Sequence, residues 1–191
     1  MGLLGISYYA VNQWQVAALQ PPHLAAICPF EGYSDFYRDS SRHGGILHAM
    51  VAVWYPLQVK SVQHGLGVNG RFGNINGDYI SGPETLTKEE LESKVVDLPA
   101  RLLEHEVLDD FYESYKTDLS RIKVPVLSCG NWGGNAMHLR GNVEGYLRAG
   151  SEEKWLEIHG LEHFTEFYTD YGSTLQKRFF DLLLKGLDTW K

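Results

Sequence analysis

The stretch Leu3-Leu4-Gly5-Ile6-Ser7-Tyr8-Tyr9-Ala10-Val11 runs from a short apolar segment into residues spaced as on a helix, with a serine at the join. Leu3 to Ile6 has the length and character of a buried strand. From Tyr8 to Leu19, apolar residues recur at Val11, Trp14 and Ala18 until Pro21-Pro22 stops the helix. A serine at a sharp strand-to-helix turn is lifted clear of the sheet. The amide that follows it then faces any negative charge developing on an attacked carbonyl. Small residues are needed around such a turn, and the Gly-x-Ser-x-Gly pattern is half met here, because Tyr9 takes the second glycine position. The alternative is a serine that merely caps the helix.

Outward from that turn, Leu24-Ala25-Ala26-Ile27-Cys28 is a second apolar run, closed by Pro29. Residues 31 to about 120 lack strand-helix alternation. They are rich in glycine and aromatic residues early and acidic later, with helices expected from Ile46 to Val59 and from Lys88 to Leu103. This segment reads as a largely helical cap inserted over the carboxyl edge of the sheet. Alternation resumes with a strand at Val124 to Cys129, a helix from Ala136 to Ala149, a strand at Lys154 to Ile158 and a helix from Thr174 to Leu184 before Gly186. Strands and helices in this order predict an α/β fold, a parallel sheet flanked by helices, with sites in the loops at the carboxyl ends of the strands. The three expected parts are an elbow and following strand in 1–30, the cap in 31–120, and a closing half in 121–191.

The chain has 191 residues, 43% of them hydrophobic and 13% aromatic, enough for one sizeable core. Its formal charge of −7 argues against a phosphate-gripping surface, so no nucleic acid is expected as a partner. The two cysteines, Cys28 and Cys129, each lie in an apolar run and read as core thiols. With no run of about 20 apolar residues and no signal segment, a cytoplasmic location without membrane attachment is expected. Met1 opens directly into the apolar strand, which reads as a fragment or a truncated gene model, incomplete at the N-terminus.

A nucleophilic serine needs a base, and His163 stands where one is expected, in His159-Gly160-Leu161-Glu162-His163-Phe164 after the last strand. The four-residue spacing of His159 and His163 could suggest a metal site on a helix. Gly160 and the preceding strand argue otherwise, and neither a metal nor a cofactor is expected. Gly65-Leu66-Gly67-Val68-Asn69-Gly70 has the spelling of a dinucleotide fingerprint without the strand and helix that give it meaning. An aspartate to orient the imidazole belongs on the loop after Cys129, yet that loop reads Gly130-Asn131-Trp132-Gly133-Gly134-Asn135. The orienting role would fall to Asn131, to Asn135, to a displaced carboxylate such as Glu162, or to nothing.

These residues resemble the CocE/NonD group, the cocaine esterase-like and X-prolyl dipeptidyl peptidase-like α/β-hydrolases. The resemblance rests on Gly5-Ile6-Ser7-Tyr8-Tyr9-Ala10, on Pro22-His23-Leu24-Ala25-Ala26-Ile27 followed by Gly32-Tyr33-Ser34-Asp35 and Tyr37, on Ile122 to Leu127 leading to Trp132, and on Lys154-Trp155-Leu156 with His163. It implies Ser7 as nucleophile, the Tyr8 amide as an oxyanion donor and His163 as base. Two positions depart from the family pattern. Ala10 replaces the elbow glycine, and Gly134 stands at the acid position.

The expected function is serine hydrolysis of a small ester, amide or peptide through an acyl-enzyme. The rival is a truncated or degenerate hydrolase-fold protein that serves as a binding or structural module. With the acid replaced and the second oxyanion donor expected upstream of Met1, these residues alone are expected to show little activity.

Overall fold

The computed structural model describes residues 1–133 and 137–189. Four parallel strands form the main sheet: β1 (Gly2–Ile6), β2 (Ala26–Phe30), β3 (Val126–Asn131) and β4 (Lys154–His159), paired in the order β1-β2-β3-β4. Helix α1 (Tyr8–Ala18) links β1 to β2, and α2 (Leu139–Arg148) links β3 to β4. The short α3 (Thr165–Tyr168) and the long α4 (Asp170–Lys185) follow β4, and α4 ends at Gly186, whose φ of 69° suits the left-handed stop.

Alternation along the strands builds two cores. Ile27 and Val126 face Trp14, Ala17, Leu119, Ile122 and Ala149. Ala26, Cys28, Phe30, Leu127 and Cys129 face Phe179 of α4. Both cysteines are free and buried. Gly145 lets α2 close on Trp14, because a Cβ there would lie 2.6 Å from the indole.

Strand β2 continues past Pro29 to Phe30, two residues further than the apolar run predicts. Proline cannot donate to the ladder, and side chains make up the pairing around it. Gln13 Oε1 accepts from Cys28 N at 3.0 Å, while Asn142, buried in α2, donates to the Pro29 carbonyl at 3.1 Å and accepts from Gly32 N at 3.0 Å.

The chain divides into two compact units, one of residues 1–45 and 109–191, the other of residues 46–108. In the second, the helix expected over Ile46 to Val59 is an α-helix only at Met50–Trp54 and widens to a π-turn at Tyr55–Val59, where Pro56 removes a donor. The helix expected over Lys88 to Leu103 is two, Lys88–Ser93 and Leu98–Glu104. Thr87 and Glu90 close a capping box on the first, and Asp97 caps the second by accepting from Ala100 N. The Gly65 to Gly70 segment is a loop with a 3₁₀ turn at Gly67–Asn69, as its context implies. No described helix is long and apolar enough to cross a membrane.

Candidate active site

The site gathers at the carboxyl ends of the strands. Ser7 leaves β1 with φ 62° and ψ −129°, a conformation that costs a non-glycine residue free energy and must be held by its surroundings. Its amide donates to the Phe30 carbonyl at 3.0 Å, and its carbonyl accepts from Ala10 N and Val11 N as α1 begins. Gly5 and Gly32 make the turn possible: a Cβ on Gly5 would sit 2.7 Å from that of Tyr9, and one on Gly32 would sit 2.5 Å from that of Ala10. The glycine opposite Ala10 therefore leaves room for a methyl group in the elbow. Tyr8, the first residue of α1, stacks its ring on Tyr9 at 4.8 Å.

One residue beyond β2, Glu31 is buried, with φ 49° and its amide donating to the Cys129 carbonyl at 2.7 Å. Its Oε2 is hydrogen-bonded to His163 Nδ1. Its Oε1 accepts from Asn131 Nδ2 at 3.1 Å and faces His159 Nε2 at 3.2 Å. Burial alone would raise this carboxyl, but hydrogen bonds from His159, His163 and Asn131 outweigh it and hold Glu31 below its usual range.

Among the described residues, the hydrogen-bond partner of the Ser7 hydroxyl is His138 Nε2 at 3.5 Å, not His163. His138 precedes α2 and lies between two rings, stacked on Tyr33 at 6.0 Å and on His163 at 5.1 Å. Its Nδ1 is buried without a partner. Burial first, and the His163 charge second, push this imidazole down to about 3, so it is neutral at ordinary pH.

A family model for the X-Pro dipeptidyl-peptidase (S15 family) matches residues 1–165. The chain belongs to that family. In the S15 family frame, a crystal structure of a CocE/NonD family hydrolase from Staphylococcus aureus is 34% identical, with a TM-score of 0.74. The match covers 98% of this chain and 29% of that one, so the chain spans less than a third of the relative's length. Two distant structures share the fold. They are a Pyrococcus horikoshii acylaminoacyl peptidase (14% identity, TM-score 0.56, 96% of this chain and 24% of that one) and a Paleococcus ferrophilus monoacylglycerol lipase (15%, 0.51, 97% and 68%). Among curated proteins, none matches the chain. These likenesses establish the α/β-hydrolase fold and the hydrolase family that the elbow and histidine motifs imply.

Within this S15 chain, the carboxylate in contact with His163 belongs to a residue the sequence motifs do not mark. Asn131 does not reach the imidazole. Its Nδ2 supports Glu31 and its Oδ1 accepts from Gly133 N at 2.6 Å, so its amide braces the carboxylate and its own turn. Glu162 is exposed, and no side-chain partner of it is found among the described residues, which removes it as the orienter. Gly134 and Asn135 lie outside the described residues. Gly133 is pressed against the histidine loop, where a Cβ would come 2.3 Å from the Leu161 carbonyl. Glu31 did carry a signal: it is a carboxylate directly after a wholly apolar strand, at the carboxyl end where α/β sites form. His138 carried none, since it falls inside the apolar pattern read as helix from Ala136.

Proposed function

We propose that the protein is a serine hydrolase in which Ser7 is the nucleophile, His163 the general base and Glu31 the acid that orients it. The observation that carries this is the contact of Glu31 with His163 Nδ1 beside a strained strand-to-helix serine. With the proton fixed on Nδ1, the lone pair of His163 Nε2 is free to accept the serine proton. His138 is the nearer ring to Ser7, but an imidazole held near 3 with no carboxylate on its other nitrogen is a poor base at neutral pH. Catalysis therefore requires the Ser7 hydroxyl to turn from His138 to His163 when substrate enters.

Ser7 Oγ then attacks the acyl carbon of an ester or amide while its proton passes to His163 Nε2. The Tyr8 amide, next in chain after the nucleophile, stabilises the oxyanion. Collapse of the tetrahedral adduct breaks the bond to the leaving group, which takes the proton from His163. Water, deprotonated by the same imidazole, releases the acid and restores Ser7. Membership of the X-Pro dipeptidyl-peptidase (S15) family, together with the likeness to a CocE/NonD family hydrolase, favours a small ester, amide or peptide as substrate. Labelling with a fluorophosphonate probe tests the proposal. A single adduct mapped to Ser7 and absent in Ser7→Ala is expected, whereas an unlabelled protein would leave a non-catalytic module.

A further inference from the structure

The Ser7, His163 and Glu31 set uses only part of a longer buried chain of charges. Strand β4 ends in Glu157-Ile158-His159, and the pleat places Glu157 and His159 on one face. His159 lies between two carboxylates, with Nδ1 2.8 Å from Glu157 Oε2 and Nε2 3.2 Å from Glu31 Oε1. The side chains of His159 and Glu31 are 4% and 1% exposed, and that of Glu157 14%. A neutral imidazole carries one N–H and would turn a lone pair toward one of these carboxylates. Only the cation donates to both.

We propose, on the basis of the Ser7, His163 and Glu31 assignment, that His159 is a positioning residue for the reaction, a buried imidazolium clamped by Glu157 that keeps Glu31 ionised and turned toward His163. Asn131 and His159 together occupy Oε1, which leaves Oε2 to His163. The charges then alternate along the row as Glu157 negative, His159 positive and Glu31 negative. The row becomes neutral as His163 takes up the serine proton, so the arrangement favours the charge that appears in the transition state. In support, although burial would lower His159, the hydrogen bonds it donates to Glu157 and Glu31 push it up to about 9. The other ionisable groups around the row leave this balance in place. The Cys129 thiol of β3 is raised by burial and Tyr171 of α4 is raised by burial and by Glu157, so both are neutral. His138 is neutral as well, and Glu166 of α3 is held by Thr169 Oγ1 at 3.0 Å.

The acid limb of activity reports the pH at which Glu31 loses its charge. Removing the His159 cation removes a hydrogen bond that holds Glu31 below its usual range, so the limb moves to higher pH. His159→Gln, assayed on a p-nitrophenyl ester from pH 5 to 10, is expected to lower kcat at least about tenfold, leave KM within about twofold and raise the acid limb by about one pH unit. Glu157→Gln weakens the clamp without removing the ring and is expected to draw the alkaline limb, where the His159 cation is lost, to lower pH. Rate losses with both limbs unmoved would reduce His159 to a structural role and overturn the proposal. Should His159→Gln fail to fold, ¹⁵N shifts of the His159 ring in the unaltered protein decide the matter: an imidazolium at pH 7.5 is expected, and a neutral ring overturns it. Failure of the underlying assignment is seen separately, as turnover that survives Ser7→Ala or His163→Ala.

Discussion

Replacing Glu31 with glutamine perturbs the site with almost no change of shape, and the contacts around it set the size of the effect. The carboxylate receives three donors, with His163 on Oε2 and with Asn131 and His159 on Oε1. Glutamine offers one acceptor oxygen and one donor group. If its NH₂ faces His163, Nδ1 must become an acceptor, which moves the ring proton to Nε2 and removes the base. If it faces His159 and Asn131 instead, donors meet donors and a buried imidazolium keeps only Glu157. The first outcome removes the base, and the second keeps an acceptor on Nδ1 but loses the negative charge that stabilises the imidazolium formed in the transition state. A wrong tautomer in serine proteases costs about 10⁴ in kcat, which corresponds to about 5.5 kcal/mol of transition-state stabilisation. Breaking a buried ion pair by neutralising one partner costs a further 3–5 kcal/mol or so of folding stability, so the variant is best assayed well below its melting temperature. With a p-nitrophenyl ester under saturating conditions, Glu31→Gln is expected to lose about 10⁴ in kcat with KM within a few-fold. A kcat within tenfold of the parent protein would refute Glu31 as the acid.

Glu162→Gln, in contrast, should leave kcat within about twofold, since an exposed side chain away from the imidazole changes little. Gly133→Ala places a methyl group 2.3 Å from the Leu161 carbonyl and should displace the histidine loop, lowering kcat by about 10²-fold while circular dichroism stays unchanged. His138 is held near 3 in the folded protein against about 6.5 unfolded, so the unfolded chain binds the extra proton. The stability His138 contributes is present above pH 6.5 and is lost as the pH falls toward 3, at about 1.4 kcal/mol per pH unit. Urea titrations of His138→Phe should accordingly lose about 2 kcal/mol less than the parent between pH 7 and 5, and an unaltered difference would contradict the buried neutral ring.

The order of elements was legible because the first three strands are apolar runs with a proline, a glycine or a helix period beside them. Its limits were local. Pro29 reads as a stop, yet β2 runs on because Gln13 and Asn142, distant in sequence, supply the missing hydrogen bonds. The expected helix from Lys88 breaks where Asp97 finds Ala100 N and starts a second helix. In the site, the serine turn and the histidine loop were legible because each follows a strand end. The carboxylate that meets His163 was not, because the family's pattern places the acid on the loop after β3, whereas here Glu31 reaches His163 from just beyond β2, 132 positions away in sequence. Asn131 braces Glu31, and Gly133 lets its loop close on Leu161.

The pairing of Ser7 with His163 stands or falls on a crystal structure of the fluorophosphonate adduct. His163 Nε2 is expected within about 3 Å of the Ser7 oxygen that carries the phosphorus, with Nδ1 still on Glu31. An adduct in which His138 keeps the serine oxygen and His163 stands beyond hydrogen-bond reach would contradict the account.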